Sequence, residues 1–523
     1  MKIENKISDD LNMLTQVDMK QGSIREQPFT EAAIQGWLIS YIAKLLELNP
    51  EQVNAKDSFD KYGLDSLIAL EMAGDLEKWL GYEVEPILLY SYPTIESLAC
   101  YLATNNTPNA SQVATTVGIL PEYYRFDLYP EYCQLQQKLE EMKALGISNP
   151  FFRVNEKVAN STTIIDGQEL INYSSYNYLG MSGDPAVSQA AKEAIDCYGT
   201  SVSASRVISG EKPLHLELER EIANLIGTED SIVYIGGHAT NVTTIGHLFG
   251  RNDLIAYDSL SHNSIVQGCF LSGASMVAFP HNDWQTLDKI LHERRHNYKR
   301  VLIVIEGVYS ADGDIPDLPN FVEIKKRHKA FLMVDEAHSI GILGKQGRGI
   351  SEYFGVNPAS VDLWMGTFSK SFASCGGYIA GCKAVVEYMK YTAPGFVFSV
   401  GMSPSNTAAA IASIQVLRNE PERVTRLQER AKLFLKLAKE RGFDTGNSHD
   451  SAIIPIIIGD SLQSIKLSQA LFHRGINVQP MVYPSVPENV ARLRFFMTCD
   501  HTEEQIHFTV DTLVEEWAKI QSN

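Results

Sequence analysis

Apolar residues recur along this chain in two different rhythms. Between residues 31 and 104 the step is three and four. Ile34, Trp37, Leu38, Tyr41, Ile42, Leu45 and Leu46 predict an amphipathic helix ending near Asn49-Pro50. Ile68, Met72, Leu76 and Trp79 predict a second helix closed by Gly81, and a third is expected over 95–102, behind Tyr92-Pro93-Thr94. Three or four helices in this span predict a small all-α four-helix bundle.

Farther on, the rhythm changes. Short β-branched runs at 231–235, 254–257, 300–305, 330–334 and 362–365 alternate with helical stretches. That pattern predicts an α/β domain whose mostly parallel sheet is covered on both faces. From about Val400, helices at 407–418 and 423–441 are followed by strands at 453–458 and 492–497, a smaller α+β lobe. Residues 105–121 are rich in Asn, Thr, Ser and Ala and read as a linker. The expected organisation is a polar tail over 1–30, the bundle over 31–104, the linker, and the α/β domain over 122–523.

Charge sharpens this division. The 523 residues carry 45 Lys+Arg against 63 Asp+Glu, a net of −18. This acidity argues against nucleic acid or an anionic membrane as a general partner. Residues 31–104 alone hold twelve acids, four lysines and no arginine, a net of −8. No apolar run is long enough to span a bilayer. The first thirty residues mix Glu4, Asp9, Asp10 and Lys20 without an apolar core, so no signal peptide is expected. The seven cysteines are scattered and form no CxxC pair, which reads as reduced cytoplasmic thiols, with no disulfide frame and no metal site.

Gly63-Leu64-Asp65-Ser66 stands just before the second predicted helix. Taken alone, Ser66 is an N-cap. In its context, with Glu71, Asp75 and Glu77 following, the stretch resembles an acyl carrier protein of the polyketide synthase type. The likeness extends through Trp79-Leu80-Gly81 and Leu88–Thr94. It implies 4′-phosphopantetheine covalently attached to Ser66, installed by a phosphopantetheinyl transferase and charged by an upstream acyl-loading enzyme.

In the large segment, the apolar run Phe331–Val334 leads into Asp335-Glu336-Ala337-His338, at a strand end where open α/β sheets place ligands. The next run, Asp362–Met365, leads into Gly366-Thr367-Phe368-Ser369-Lys370. A lysine among small and apolar residues, with a strand-end acid upstream, suits pyridoxal phosphate chemistry. The amine condenses with the aldehyde, and the acid pairs with the pyridine nitrogen.

Around these two cores lie Ser175-Tyr176-Asn177-Tyr178-Leu179-Gly180, Gly199–Arg206, Asp258-Ser259-Leu260-Ser261-His262-Asn263-Ser264 and Glu306–Asp314. With them, residues 131–518 resemble the α-oxoamine synthases of the fold-type I pyridoxal phosphate family. That family includes 8-amino-7-oxononanoate synthase, serine palmitoyltransferase, 5-aminolevulinate synthase and 2-amino-3-ketobutyrate ligase. The resemblance implies that His262 stacks on the cofactor ring and that His338 meets its 3′-oxygen. It implies that the backbone of Gly237 and His238, in the helix-opening stretch Gly236-Gly237-His238-Ala239-Thr240-Asn241, holds the phosphate together with Thr367, with His238 also near the ring. It further implies a homodimer in which Ser399 reaches the partner's phosphate. Arg494, rather than Arg492, is expected to bind the amino-acid carboxylate. Tyr176 stands where several relatives have Asn and is expected near the substrate, a form nearer the serine palmitoyltransferases than the biotin or haem branches. Ser310, with His338, is expected near the thioester.

The implied reaction is a decarboxylating condensation of an α-amino acid with an acyl thioester carried on Ser66, yielding an α-amino ketone in polyketide-like or other secondary-metabolite biosynthesis. Lys370 removes the Cα proton, and His262, Asp335 and His338 complete the catalytic set. The rivals are the same condensation fed by free acyl-CoA, an aminotransferase, and a carrier without catalysis.

Overall fold

The computed structural model describes residues 29–45, 48–57, 59–62, 66–82, 84, 88–92, 94–105, 120–144 and 146–522. The expected tail and linker, apart from Phe29, Thr30, Asn105, Leu120 and Pro121, lie outside these. The chain separates into a unit built from the helices up to Asn105 and a unit running on from Leu120.

The first unit has helices α1 (Glu31–Leu45), α2 (Ser66–Leu80), α3 (Leu88–Ser91) and α4 (Ile95–Asn105). Ile34, Leu38 and Ile42 from α1, Met72, Leu76 and Leu80 from α2, and Ile95, Leu98 and Leu102 from α4 share one buried core. The three- and four-residue spacing is thus the pattern of burial. Four expected core positions differ. Leu45 is exposed at the last residue of α1, and Trp37, Tyr41 and Trp79 are only part-buried, Trp37 stacking on Tyr41 at 5.1 Å and on Trp79 at 5.8 Å. Ser66 is the first residue of α2.

Among its described residues the second unit has thirteen strands: β1 (Thr162–Ile165), β2 (Gln168–Asn172), β3 (Asp230–Tyr234), β4 (Leu254–Asp258), β5 (Ser275–Phe279), β6 (Val301–Glu306), β7 (Phe331–Asp335), β8 (Leu363–Thr367), β9 (Gly377–Gly381), β10 (Ile453–Ile457), β11 (Ile476–Asn477), β12 (Gln479–Met481) and β13 (Arg492–Phe496). Seven make the large sheet, in the order β3-β9-β8-β7-β6-β4-β5. β8, β7, β6, β4 and β5 run parallel, and β9 is reversed against both its neighbours. All six residues of β6 are buried, which explains its unbroken apolar run at the centre of a sheet covered on both faces. β9 escaped the sequence reading because Gly377-Tyr378-Ile379-Ala380-Gly381 begins and ends on glycine.

The smaller lobe has two three-stranded sheets, β10-β13-β12 and β1-β2-β11. It therefore does not begin only at Val400. The hairpin β1-β2 comes from far upstream and pairs with β11 through Ile171 and Ile476. The helix expected over 407–418 spans Pro404–Asn419, capped by Ser403, whose hydroxyl accepts the Asn406 N–H at 3.3 Å. Among the described residues no helix is long and apolar enough to cross a membrane.

Candidate active site

The parallel strands deliver their last residues to one edge of the large sheet. Glu306 ends β6 beside Asp335, which ends β7, and Thr367 ends β8 three residues before Lys370. Between β3 and the next helix, Gly236 caps α5 (Gly237–Leu248); beyond β4, His262 caps α6 (Asn263–Ser272). Together they enclose a cavity of about 210 Å³ lined by Tyr176, Gly237, His238, Asn241, His262, Glu306, Asp335, His338, Thr367, Ser369 and Lys370, among others. Tyr176, Ser369 and Lys370 also line an adjoining polar cavity of about 470 Å³.

Lys370 makes no side-chain hydrogen bond or ion pair to a described residue. Its nitrogen lies 5.8 Å from the Tyr176 ring centre. Burial lowers its pKa to about 8, against the pull of Asp335 and Glu306, so it yields a free amine far more readily than a surface lysine. Asp335 is held from two sides: Oδ1 accepts the Ala337 N–H at 2.9 Å and Oδ2 accepts Asn241 Nδ2–H at 2.8 Å. Glu306 accepts the His262 N–H at 2.5 Å, and burial beside Asp335 raises its pKa well above the carboxylate range.

The two histidines are fixed by donors. His262 Nδ1 lies 2.8 Å from Ser264 Oγ and accepts the Ser264 N–H at 3.2 Å. Ser264 Oγ itself accepts from Asn241 at 2.9 Å, so its own proton is available to His262. His338 Nδ1 lies 2.8 Å from the Tyr178 hydroxyl. Desolvation, with nearby cations, holds both imidazoles below their ordinary pKa, His338 far below.

Arg494 lies on β13 and, among the described residues, gives one hydrogen bond, Nη1–H to the Ser310 carbonyl at 2.8 Å. Its charge is felt at Lys370 and His338. Arg492, two residues earlier, is committed to Val490 O at 3.0 Å, Ala311 O at 3.3 Å and Asp312 at 2.6 Å. Arg494 therefore has donors to spare where Arg492 has few.

Four expected residues sit differently from the rest. Arg494 is outside the lining of both cavities, its guanidinium 4.6 Å from the Phe496 ring centre. The Thr367 hydroxyl lines the cavity but donates to Gly376 O at 2.9 Å. Ser310 is outside the lining and takes part through its carbonyl. Ser399 is outside as well, next to Phe398, which is 85% exposed. The sequence reading missed Asn241, Ser264, Glu306, Ser369 and Tyr178 as site residues. All five stood inside motifs already singled out.

The residues present fit pyridoxal phosphate. The cavity has an uncommitted amine, a strand-end carboxylate and the unpaired N–H groups of a helix start. A Cβ on Gly237 would stand 2.9 Å from Thr367 Oγ1, so a close approach there requires glycine. Asn241 Oδ1 is buried with no partner, an acceptor facing no described donor.

Residues 168–513 match the aminotransferase class I and II family, and residues 36–102 match the phosphopantetheine attachment site family. The chain is 37% identical to the 8-amino-7-oxononanoate synthase of Thermoanaerobacter pseudethanolicus, over 71% of this chain and 93% of that protein. It is 36% identical to the serine palmitoyltransferase of Sphingobacterium spiritivorum, over 72% and 93%. Among solved structures it resembles the Sphingomonas wittichii serine palmitoyltransferase, with 33% identity and a TM-score of 0.72 over 76% of this chain and 99% of that one. The 8-amino-7-oxononanoate synthase of Francisella tularensis is similar at 26% identity and a TM-score of 0.59, over 68% and 99%. These identities do not separate the two branches. This chain, with a phosphopantetheine attachment domain ahead of its catalytic fold, belongs to the pyridoxal-phosphate-dependent α-oxoamine synthase family.

Proposed function

We propose that the protein joins an α-amino acid to an acyl group carried as a thioester on Ser66-bound phosphopantetheine, with loss of CO2, to give an α-amino ketone for secondary-metabolite biosynthesis. The observation that carries this reading is a family active site built around Lys370 and Asp335, with an attachment domain covering Ser66 in the same chain. A four-helix carrier over residues 31–104 would serve the catalytic domain over 122–523, and two chains would pair so that Ser399 completes the neighbouring site. The enzyme would work in the cytoplasm, loaded by a phosphopantetheinyl transferase and an acyl-loading enzyme.

Pyridoxal phosphate supplies an electron sink for a carbanion at the amino acid's Cα. Asp335, oriented by Ala337 and Asn241, would hold the cofactor's ring nitrogen and keep a proton on it. Gly237, His238 and Thr367 would hold the phosphate, and His262 would lie against the ring as a neutral imidazole. Arg494 binds the substrate carboxylate with its spare guanidinium donors, a geometry suited to a planar anion. Lys370 takes the Cα proton; its lowered pKa lets it act as a base near neutral pH. The carbon would attack the thioester carbonyl, and His338, with Nδ1 taken by the Tyr178 hydroxyl, would offer Nε2–H to the developing oxyanion or to the cofactor. The pantetheine thiol leaves, the β-keto acid loses CO2, and Lys370 or a neighbour returns the proton.

The test is incubation of the phosphopantetheinylated, acyl-loaded protein with each amino acid in turn. CO2 release and an α-amino ketone mass are expected. Release of a keto acid without CO2 would make it an aminotransferase, and no turnover at all would leave a carrier only.

A further inference from the structure

His281 follows β5 and has no part in the chemistry above. Its ring is gripped by two acids: Nδ1 is 2.8 Å from Asp258 Oδ1, and Nε2 is 2.8 Å from Asp314 Oδ2. A neutral imidazole has one N–H, so only the protonated ring can donate at both nitrogens. Both acids are buried, at 0% and 3% exposure. Asn282 ties the same pair together, its backbone N–H reaching Asp258 Oδ2 at 2.8 Å and its amide reaching Asp314 Oδ2 at 2.7 Å. Tyr309 meets the ring edge-on at 4.5 Å, so Asp258, Asp314 and Tyr309 are the titratable groups that face it. Burial opposes the charge, but the two carboxylates override it and raise the pKa to about 10.

What this cation fastens is a strap, Tyr309–Asp314, that runs between β6 and the helix Leu318–His328 and touches the smaller lobe on its way. Arg494 donates to Ser310 O and Arg492 to Ala311 O and Asp312. Gly313 O accepts from Ser451 at 2.7 Å, and a Cβ on Gly313 would stand 2.1 Å from Ile453 O. One end of the strap is thus bolted to the ends of β4 and β5, while its Ser310 carbonyl accepts from the guanidinium of Arg494.

We propose that His281 is a positioning residue for the amino-acid carboxylate, fixing through Asp314 and the strap the direction in which Arg494 presents its spare donors. This deepens the reading of Arg494 given above and rests on it. A misaimed guanidinium weakens binding of a carboxylate and leaves binding of the matching amine alone.

The test uses the full chain loaded with pyridoxal phosphate. Affinities are read from the absorbance change on adding L-serine against ethanolamine, L-alanine against ethylamine, and glycine against methylamine. His281→Gln is expected to weaken the amino acid by about tenfold, roughly one aligned charge-assisted hydrogen bond, and to leave the amine unchanged. Asp314→Asn keeps shape and the Asp258 pair; it should shift the ratio the same way by less, and it decides the matter if His281→Gln does not fold. A wild-type amino-acid-to-amine ratio in the folded variants overturns the proposal. Arg494→Lys is the separate control: if it too keeps the ratio, the carboxylate reading of Arg494 has failed.

Discussion

The Tyr178 hydroxyl and His338 Nδ1 lie 2.8 Å apart inside the core. Among the described residues the hydroxyl has no other hydrogen-bond partner, so its proton is satisfied only by donation to that nitrogen. Burial raises the pKa of Tyr178 and lowers that of His338, keeping one protonated and the other neutral. His338 is therefore left with its proton on Nε2, as a donor. Removing the hydroxyl frees Nδ1 and lets the ring take either tautomer. Tyr178→Phe is expected to lower kcat by about tenfold, the worth of one buried hydrogen bond plus the wrong tautomer. Ring nitrogen shifts from labelled histidine should show Nδ1 as the acceptor in the parent protein and a mixture in the variant; identical spectra would refute this arrangement.

The lysine gives a prediction in pH. An ordinary lysine is fully protonated until well above pH 9, but Lys370 has its pKa lowered to about 8. Below that value the ammonium form dominates and cannot attack an aldehyde; above it the free amine does. The rate at which cofactor-free protein captures pyridoxal phosphate should therefore rise through about pH 8 and level off well before pH 10. Borohydride should then fix the cofactor on Lys370, and Lys370→Ala should take up none covalently. A rate still climbing at pH 10, or label on another lysine, would contradict the assignment.

What the sequence made legible follows from where side-chain patterning is strong. Buried parallel strands such as β6 are continuous apolar runs, and their ends carry acids, so Asp335 and Lys370 stood out. Asn241, Ser264 and Tyr178 did not. Each is a common residue whose role is set by a partner distant in sequence: Asn241 meets Asp335, Ser264 meets Asn241, and Tyr178 meets His338. Such pairings depend on tertiary geometry and leave no local period. The same reason hid β1 and β2, which join the smaller lobe by pairing with the distant β11.

The chain of donors from Asn241 through Ser264 to His262 holds that ring neutral, because both Ser264 groups donate to Nδ1. His262 pKa is lowered by desolvation, so the neutral form persists as pH falls. Ser264→Ala removes one donor, and the pKa should move up toward the ordinary value. Activity should then be lost at a higher pH on acidification than in the parent, with a loss at the optimum of about fivefold, near 1 kcal/mol. Ser264→Thr keeps the hydroxyl and should restore the parent's acid limb. An acid limb that does not move in Ser264→Ala would remove this role.

The attachment domain and the catalytic fold share one chain, joined by a stretch of Asn, Thr, Ser and Ala. Incubation with a phosphopantetheinyl transferase and coenzyme A should add a single group, and Ser66→Ala should block it. Tethering makes delivery of the acyl group intramolecular, or between two chains of one dimer, at an effective concentration in the millimolar range for short connections. The attachment region's net charge of −8 should favour a basic approach surface, an attraction that salt screens over about 10 Å at 0.1 M. At matched concentrations the acyl-loaded full-length protein should therefore turn over far faster than residues 121–523 supplied with acyl-CoA. The separated, acyl-loaded residues 1–120 should fall between them and lose activity as salt rises, while the tethered form should resist salt, since its encounter does not depend on steering. Equal rates for the truncated enzyme with acyl-CoA and for the fusion would mean that Ser66 does not carry the acyl donor, and that the catalytic domain draws on free acyl-CoA.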